Sequence, residues 1–303
     1  MVDDQITEML ERRLRKSASR FVMQHSDAKE SLIRFFQSLQ SDGWPAVLFG
    51  GVLRDLMTGY GPGRIRDVDI VVLNASPDDL ARACRQWFRR RTRFGGFHLH
   101  AGTWPIDIWG LEKTWAFRSS QFKPTFLDLT KTTFLNAEAV AVSLFSNRGR
   151  GRDVYSHGFF ECLRTRTLEV NYAENPFPEL CVVRSLLAAF RLRFSLGPRL
   201  CRYIGEVGNT LQPTELEAIQ RDHYGRVRCT GEYLQSWIRR IQEQQSTSGN
   251  VSFESTSFSQ LLLDDDWNVC TSCAALANRR KSSVPHPKHT IQSLQQVLTL
   301  FDE

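Results

Sequence analysis

The chain has 303 residues and a formal net charge of +6, and arginine makes up 32 of its 39 basic residues. The length predicts about two domains, and 41% hydrophobic with 24% charged residues excludes a wholly disordered, collagen-like or coiled-coil chain. We expect no membrane partner, because no apolar run approaches ~20 residues. Seven scattered cysteines and a charged N-terminus without a signal-peptide pattern favour the cytoplasm. The arginine excess favours an anionic partner such as RNA or a nucleotide.

The first half of the chain mixes short apolar strands with helical spacing. Glycine and proline clusters at Gly43-Trp44-Pro45 and at Tyr60–Gly63 separate these segments. The predicted elements are, in chain order, two helices within residues 5–40, a strand at Ala46–Phe49, a helix beginning at Val52, a strand at Val68–Leu73, a helix at Pro77–Arg91 and a hairpin of Phe94–His100 with Trp104–Trp109.

The second half becomes helical after Pro178. Its predicted elements are a strand or helix at Ala137–Phe145, a hairpin of Phe159–Cys162 with Thr167–Val170, and helices around Val183–Phe194 and at Leu200–Val207, Thr214–Arg221 and Glu232–Gln244. We therefore predict an α+β fold, with a mixed sheet and helices followed by a helical neck and body. The predicted segments are N-terminal helices at 1–44, a head at 45–172, a neck and body at 173–243, and a linker with a C-terminal tail at 244–303.

The pair Gly50-Gly51 lies between a predicted strand and a predicted helix. Glycines at such a position let backbone amides approach a phosphate group, and a helix N-terminus favours negative charge. Glycine pairs also form ordinary turns, so this feature alone does not define a site.

Acidic residues on two predicted strands indicate a metal site. Asp67 and Asp69 are two residues apart and therefore share one face of a strand, and Asp107 is an isolated acid between apolar residues. Neighbouring carboxylates repel each other unless a cation lies between them. A pair of Mg²⁺ ions about 3.5–4 Å apart has that role in phosphoryl transfer. The alternative is a solvated strand end without metal, and the preceding glycine turn favours the metal site.

The segment Leu48–Gly59 reads LFGGVLRDLMTG, and RDVDI follows at Arg66–Ile70. Together they resemble the GG-x-VRD-x-LLG and D-x-D signature of the class II tRNA nucleotidyltransferase and bacterial poly(A) polymerase family. Fainter similarities follow in the family's order at Asn136-Ala137 and at Val183–Ala189. The resemblance covers residues 45–200 of the chain.

This resemblance implies a polymerase-β-like nucleotidyltransferase head on a helical neck and body. It implies that Asp67, Asp69 and Asp107 are catalytic and bind two Mg²⁺ ions. The residues it assigns to the nucleoside triphosphate, ATP or CTP, are Gly50, Gly51, Arg54, Asp55, Asn136 and Arg184. The implied reaction is attack of an RNA 3′-hydroxyl on the α-phosphate with release of pyrophosphate. The expected acceptor is tRNA or a tRNA-like 3′ end.

One departure from the family concerns the choice of nucleotide. The family's Glu-Asp-x-x-Arg motif, aligned on Arg184, has Leu180-Cys181 in place of the acids that help to read the incoming base. We therefore expect a divergent relative that keeps the metal chemistry and does not perform standard CCA addition. The open alternatives are the same chemistry on a small molecule, a protein or a tRNA blocked by a toxin or defence enzyme, and a catalytically silent RNA-binding module.

Arginine clusters supply candidate RNA contacts, because a row of cations can follow a phosphate backbone. Basic residues three or four positions apart share one face of a helix, and a solvated basic face is the alternative interpretation. The candidates are Arg82, Arg85 and Arg89 on one predicted helix, and Arg148, Arg150 and Arg152 in a predicted loop.

The C-terminal tail contains a second set of metal-binding residue types. It consists of Cys270, Cys273, His286 and His289. The spacing approaches that of a zinc finger, but Pro285 and Pro287 prevent a helix through the histidine pair. We therefore expect unrelated thiols and imidazoles rather than a zinc site.

Overall fold

A computed structural model describes residues 2–24, 26, 29–59, 65, 67–119, 122–146 and 151–245. The helices of these residues are α1 (Val2–Met23), α2 (Glu30–Ser41), α3 (Gly51–Met57), α4 (Pro77–Ala83), α5 (Trp115–Ser119), α6 (Phe126–Lys131), α7 (Phe159–Thr165), α8 (Pro178–Leu192), α9 (Pro198–Gly208), α10 (Pro213–Tyr224) and α11 (Gly231–Gln245). Their strands are β1 (Ala46–Phe49), β2 (Val68–Val72), β3 (Phe88–Arg91), β4 (Phe97–Ala101), β5 (Trp104–Gly110), β6 (Val140–Ser143), β7 (Val154–Ser156), β8 (Thr167–Leu168) and β9 (Ser195–Leu196).

Within the described residues the strands form one sheet in the order β3-β4-β5-β2-β1-β6-β7, and a small parallel pair of β8 with β9. In the large sheet β2 and β5 run parallel, and the other neighbouring strands are antiparallel. The parallel pair lies at the centre, so the residues of β2 and β5 that share a face are fixed side by side by backbone hydrogen bonds.

The two faces of the sheet bury different clusters, because side chains alternate along a strand. One face packs under α1, α2 and α3, and Leu48, Ile70 and Ile106 belong to that cluster. The opposite face buries a smaller cluster that includes Val71 and Leu129. Its remaining area is open to the site described below.

The helices after α7 build most of a second apolar core. Leu186 of α8, Ile204 of α9 and Ile238 of α11 are buried there, and Phe134 and Cys162 from the preceding region belong to it as well. The helical region therefore follows the mixed sheet in the chain and packs against part of it. This arrangement confirms the predicted α+β fold class. Among the described residues, no helix has the length and apolar character that a membrane crossing requires.

Most predicted elements are found near their predicted positions. The early helices, the first two strands, the hairpin after Phe94 and the three helices after Leu200 are all present. The ambiguous segment after Ala137 contains a strand, β6. Short apolar runs for the strands and helical spacing for the helices were sufficient signals in these regions.

The prediction of one helix over Pro77–Arg91 is wrong. Ser76 caps α4 through the Asp79 amide, and the helix ends at Ala83. The next residues form a short 3-10 turn and then the edge strand β3, which pairs with β4. The rings of Phe88 and Phe97 pack with centroids 6.0 Å apart across that pair, so strand pairing replaces the helical continuation.

The predicted hairpin of Phe159–Cys162 with Thr167–Val170 is also wrong. Residues Phe159–Thr165 form α7, which buries Phe159 and Cys162 and ends at Arg166 in the left-handed conformation. The strand β8 pairs instead with β9, which follows α8. A short apolar run is compatible with either a strand or a helix, and periodicity alone does not decide between them.

Candidate active site

Two carboxylates face each other at the centre of the sheet. Asp69 of β2 and Asp107 of β5 are register partners on the parallel strands. Both alternate with fully buried neighbours and are themselves half-buried, so both belong to the open face. Asp67 lies two residues before Asp69 and therefore on the same side of the chain. The structure thus brings the three predicted acids to one region.

The glycine turn lies directly beside these acids. Phe49 of β1 pairs with Asp69, and Gly50 follows at once. Gly50 has φ +64° and ψ −119°, a conformation that favours glycine, and its N–H donates to the Val140 carbonyl at 2.9 Å. The turn leads into α3 at Gly51.

A chain of ion pairs runs from the buried Arg54 and Asp55 beside this turn to the partly exposed arginines of α8. Arg54 donates through Nε to Asp55 Oδ1 at 2.9 Å and through Nη1 to Glu138 Oε1 at 2.8 Å. From α8, Arg184 Nη2 donates to Glu138 Oε2 at 2.8 Å, and Arg191 Nη2 lies 2.5 Å from Asp55 Oδ2. Each of the two carboxylates therefore holds two arginines, one from the head and one from α8.

The charges of this network stabilise one another. Burial alone raises the pKa of Glu138, but Arg184 and Arg54 outweigh that effect and lower the pKa to about 2. The same contact with Glu138 raises the pKa of Arg184. The carboxylate and the guanidinium groups are therefore fully ionised near neutral pH.

The acids, the turn and the network surround one cavity of about 720 Å³. On the sheet side its wall contains Gly50, Gly51, Asp67, Asp69 and Asp107. On the helical side its wall contains Arg184, Leu187, Ala188, Arg191, Tyr224, Arg226 and Arg228. Carboxylates thus face arginines across the space, which suits a ligand with phosphate groups and bound cations.

The side-chain positions of the acids bear on metal binding. Within the described part of the chain, no group of three or more His, Cys, Asp or Glu side chains is arranged to hold a metal ion. Asp107 Oδ1 instead lies 2.7 Å from His98 Nδ1 of the neighbouring strand β4. Carboxylates that ligate metals are commonly held by a second hydrogen bond of this kind, which orients them. The donor chemistry of Asp69 and Asp107 therefore fits Mg²⁺, which prefers carboxylate oxygens.

Two predicted site residues lie outside this cavity. The Asn136 amide donates to the Thr167 carbonyl at 3.2 Å and accepts from the Glu169 N–H at 2.9 Å, so it joins two backbone segments rather than contacting the cavity. Arg152 is buried and donates to the carbonyls of Ser143 and Leu144. The prediction that Arg152 contacts RNA is therefore corrected, because its buried guanidinium donates to backbone carbonyls instead.

The other predicted arginines have different positions. Arg82, Arg85 and Arg89 are all exposed, but they do not share one helix, because Arg82 belongs to α4 and Arg89 to the edge strand β3. Arg82 forms an ion pair with Asp79. The predicted residues Arg148, Arg150, Cys270, Cys273, His286 and His289 lie outside the described residues.

Several residues of the cavity were not predicted from sequence. Glu138 directly follows the Asn136-Ala137 pair, and a single acid in an apolar stretch was the available signal. Arg191 lies seven residues after Arg184, which is two helical turns on the same face. Tyr224 and Arg228 carry no local pattern, because the fold of the helical region alone brings them to the cavity.

No protein-family model matches the chain, and no curated protein sequence matches it. Solved structures do match its fold. A structure described as a tRNA-processing enzyme in apo form I has a TM-score of 0.51 at 18% identity, and the match covers 73% of this chain and 58% of that one. A tRNA nucleotidyltransferase complexed with a primer tRNA and an incoming ATP analog has a TM-score of 0.51 at 19% identity, with 70% and 61% covered.

A CCA-adding enzyme in complex with CTP has a TM-score of 0.51 at 15% identity, with 74% of this chain and 52% of that chain covered. This chain therefore matches between 52% and 61% of the length of these three proteins. Identities of this size establish a shared fold. The chain has the fold of these solved structures, in which a mixed sheet is followed by a helical region.

Proposed function

We propose that this chain is a Mg²⁺-dependent nucleotidyltransferase, a divergent relative of the class II tRNA nucleotidyltransferases and bacterial poly(A) polymerases. It transfers a nucleoside monophosphate from a nucleoside triphosphate to an RNA 3′-hydroxyl and releases pyrophosphate. The observation that carries the proposal is the register pairing of Asp69 with Asp107, beside the Gly50-Gly51 turn and facing one cavity. Two carboxylates held side by side repel each other, and a cation between them relieves that repulsion.

In this proposal Asp67, Asp69 and Asp107 hold two Mg²⁺ ions. Bound there, the ions would lower the pKa of the attacking hydroxyl and neutralise the charge of the leaving pyrophosphate. His98 keeps Asp107 in position through its 2.7 Å contact with Oδ1. The contribution of the protein is then the positioning of the two reactants and the compensation of their charge.

The triphosphate would lie at the glycine turn. The Arg54 guanidinium lies directly behind that turn, and a Cβ placed on Gly51 would come 3.5 Å from Arg54 Nη2. A side chain at Gly51 would therefore fill the space between the turn and the guanidinium. Asp55 and Glu138 hold Arg54 in that position, which makes the phosphate end of the site rigid.

The acceptor is proposed from charge and from the known structures. One solved structure of the same fold is described as a complex with a primer tRNA, and Arg85 and Arg89 expose basic charge at the edge of the sheet here. A tRNA or tRNA-like 3′ end fits both observations. Standard CCA addition is not proposed, because Leu180 and the buried Cys181 offer no carboxylate to an incoming base.

The deciding experiment measures transfer of label. The purified chain is incubated with each α-labelled nucleoside triphosphate, Mg²⁺ and total cellular RNA, beside the variant Asp69→Asn. We expect label in one RNA size class, reduced about a thousandfold by the variant, since several kcal/mol of charge stabilisation are lost with a metal ligand. Asp78→Asn is the matched control, because Asp78 is an exposed acid of α4 away from the cavity.

Three other results would replace the proposal. Normal turnover by Asp69→Asn would contradict the metal assignment. Label in protein or in a small molecule would retain the chemistry and change the acceptor. RNA binding without any label, unaffected by Asp69→Asn, would identify a silent RNA-binding module.

A further inference from the structure

All charged residues of the edge strand β3 are arginines. The chain has no acidic residue between Asp79 and Asp107. The arginines of this stretch are Arg82, Arg85, Arg89, Arg90, Arg91 and Arg93. All four residues of β3 are exposed, and within the described part of the chain no carboxylate pairs with its arginines. This uncompensated charge makes the edge attractive to an anionic partner.

A register row joins this edge to the candidate active site. Arg90 of β3 pairs with His98 of β4, and His98 pairs with Asp107 of β5. Register partners on neighbouring strands share a face of the sheet, and such strands lie about 4.8 Å apart. The backbone at Arg90 is therefore about 10 Å from the backbone at Asp107. About three nucleotides span that distance, since each stacked nucleotide of a strand advances about 3.4 Å.

The turn between β3 and β4 brings an aromatic ring to the cavity. Thr92 and Phe94 of this turn belong to the cavity wall. The Thr92 hydroxyl accepts from the Gly96 N–H at 2.9 Å, and the Thr92 N–H donates to the Gly96 carbonyl at 2.8 Å. A Cβ on Gly96 would come 2.8 Å from the Ile108 carbonyl oxygen, so the turn lies directly against β5. The half-buried Phe94 is therefore held at the cavity by a closed turn.

A stacked arginine lies between the edge strand and this ring. The Arg93 guanidinium lies over the ring of Phe177, with 5.0 Å between its Cζ atom and the ring centroid. The rings of Phe177 and Phe94 have centroids 6.4 Å apart. Arg93 is exposed, so the ring holds the guanidinium while solvent still reaches it. Cations and aromatic rings thus follow one another from the edge to the cavity, the combination that binds single-stranded nucleic acid.

We propose that the acceptor RNA leaves the cavity as a single strand over the β3–β4 turn, with one base on Phe94 and its phosphates on Arg93 and Arg90. This inference rests on the proposed function, which places the RNA 3′ end at the acids. Arginine matches phosphate oxygens with paired donors, and an aromatic ring stacks with any base. A protein strand is a poorer occupant of this edge, because the register of β3 shifts between Phe88 and Arg90, and such bulges hinder strand addition.

The test is the affinity of the full chain for an unstructured RNA of about twelve nucleotides, measured by fluorescence anisotropy over a series of salt concentrations. The double variant Arg90→Gln/Arg93→Gln removes two phosphate contacts. We expect the slope of log affinity against log salt to decrease by about 1.4, and the affinity at about 0.1 M salt to fall on the order of twentyfold. Arg90→Lys/Arg93→Lys keeps both charges and should keep most of the slope.

The aromatic part of the path has a different signature. Phe94→Leu keeps an apolar side chain at the turn and removes the ring. Because stacking involves no counterion release, we expect the RNA affinity to fall about tenfold at every salt concentration, with an unchanged slope. Affinity equal to that of the unmodified chain would overturn the role of Phe94.

The control Arg164→Gln/Arg221→Gln removes the same charge from arginines that pair with glutamates of their own helices, and it should keep the slope. An equal loss in this control, or an unchanged slope in Arg90→Gln/Arg93→Gln, would overturn the inference. Label transfer by the unmodified chain to the same RNA would then leave the proposed function standing. RNA binding that depends on Arg90 and Arg93, without any label transfer, would support this RNA surface and overturn the proposed function. A changed oligomeric state with unchanged RNA binding would assign the edge to a protein strand and overturn the inference.

Discussion

The two walls of the cavity are built by different physical means. On the sheet side, Asp69 and Asp107 are held by the backbone ladder of two central strands. On the helical side, Arg184 and Arg191 are held by side-chain ion pairs to the head. A ladder tolerates a changed side chain, because its bonds are made by the backbone. An ion-pair network does not tolerate such a change, because its bonds are made by the side chains themselves. We therefore expect changes of the sheet-side acids to act mainly on the proposed reaction, and changes of the ion-pair network to act first on stability.

The strongest test of this division is the removal of Glu138, the head carboxylate to which Arg184 of the helical wall is paired. In Glu138→Gln the partners Arg54 and Arg184 lose the carboxylate that they share. Because Arg54 is buried, we expect the free energy of unfolding to fall by about 3 kcal/mol, the range for a broken buried pair. Denaturant unfolding measures it. The matched control is Glu161→Gln, which breaks an exposed pair with Arg164 and should cost less than about 1 kcal/mol.

The same residue predicts a dependence on pH. The folded pKa of Glu138 is lowered to about 2 from an ordinary 4.5, so the folded state favours the ionised form. Its contribution to stability is complete above pH 4.5 and is lost as the pH falls toward 2, in total about 3 kcal/mol. Unfolding free energies measured between those values should fall less steeply in Glu138→Gln. Parallel curves for both proteins would contradict the buried pairing.

The sheet wall could be predicted from the sequence because most of its residues are close to one another in the chain. The spacing of Asp67 and Asp69 fixes a shared strand face, and the glycine turn precedes them by less than twenty residues. Alternation then placed Asp107 on a second strand with the same exposure. The register that pairs Asp107 with Asp69 depends on tertiary structure and could not be predicted. The isolated acid within an apolar strand nevertheless indicated a shared site.

The helical wall could not be predicted in the same way. Glu138, Arg191 and Arg228 are separated by large parts of the chain, and they line one cavity only because α8 and the α10–α11 loop pack against the head. The interpretation of Asn136 failed for a related reason. Its motif was found, yet the amide bonds the backbone of Thr167 and Glu169. A motif match gives a residue type, and tertiary packing gives its partner.

A second change in the helical wall removes the buried side chain of Gln220, which holds the loop between α10 and α11. In Gln220→Met the side chain keeps its length but leaves the N–H groups of Arg228 and Cys229 without their acceptor. Buried backbone donors without a partner cost about 1–3 kcal/mol each, and apolar packing of the methionine offsets part of that. We expect a net loss of about 2 kcal/mol in thermal or denaturant unfolding. Gln40→Met, at an exposed position of α2, should change stability very little. An unchanged unfolding curve for Gln220→Met would mean that the loop is held by other contacts.

The smallest effect on the free energy of unfolding is expected on the sheet wall, at His98, which contacts Asp107. In His98→Ala the backbone ladder of β4 and β5 remains, so stability should change little, but the Asp107 carboxylate loses its 2.7 Å contact. Loss of such a support costs about tenfold in metal affinity. The concentration of Mg²⁺ at half-maximal label transfer should therefore rise about tenfold, and saturating Mg²⁺ should restore most of the rate. His100→Ala is the matched control, since His100 pairs with Pro105 on the same strands. An equal loss of rate in His98→Ala at all Mg²⁺ concentrations would mean that the histidine does not act through metal affinity. Unfolding of His98→Ala would mean that the sheet wall depends on side-chain contacts as much as the helical wall does.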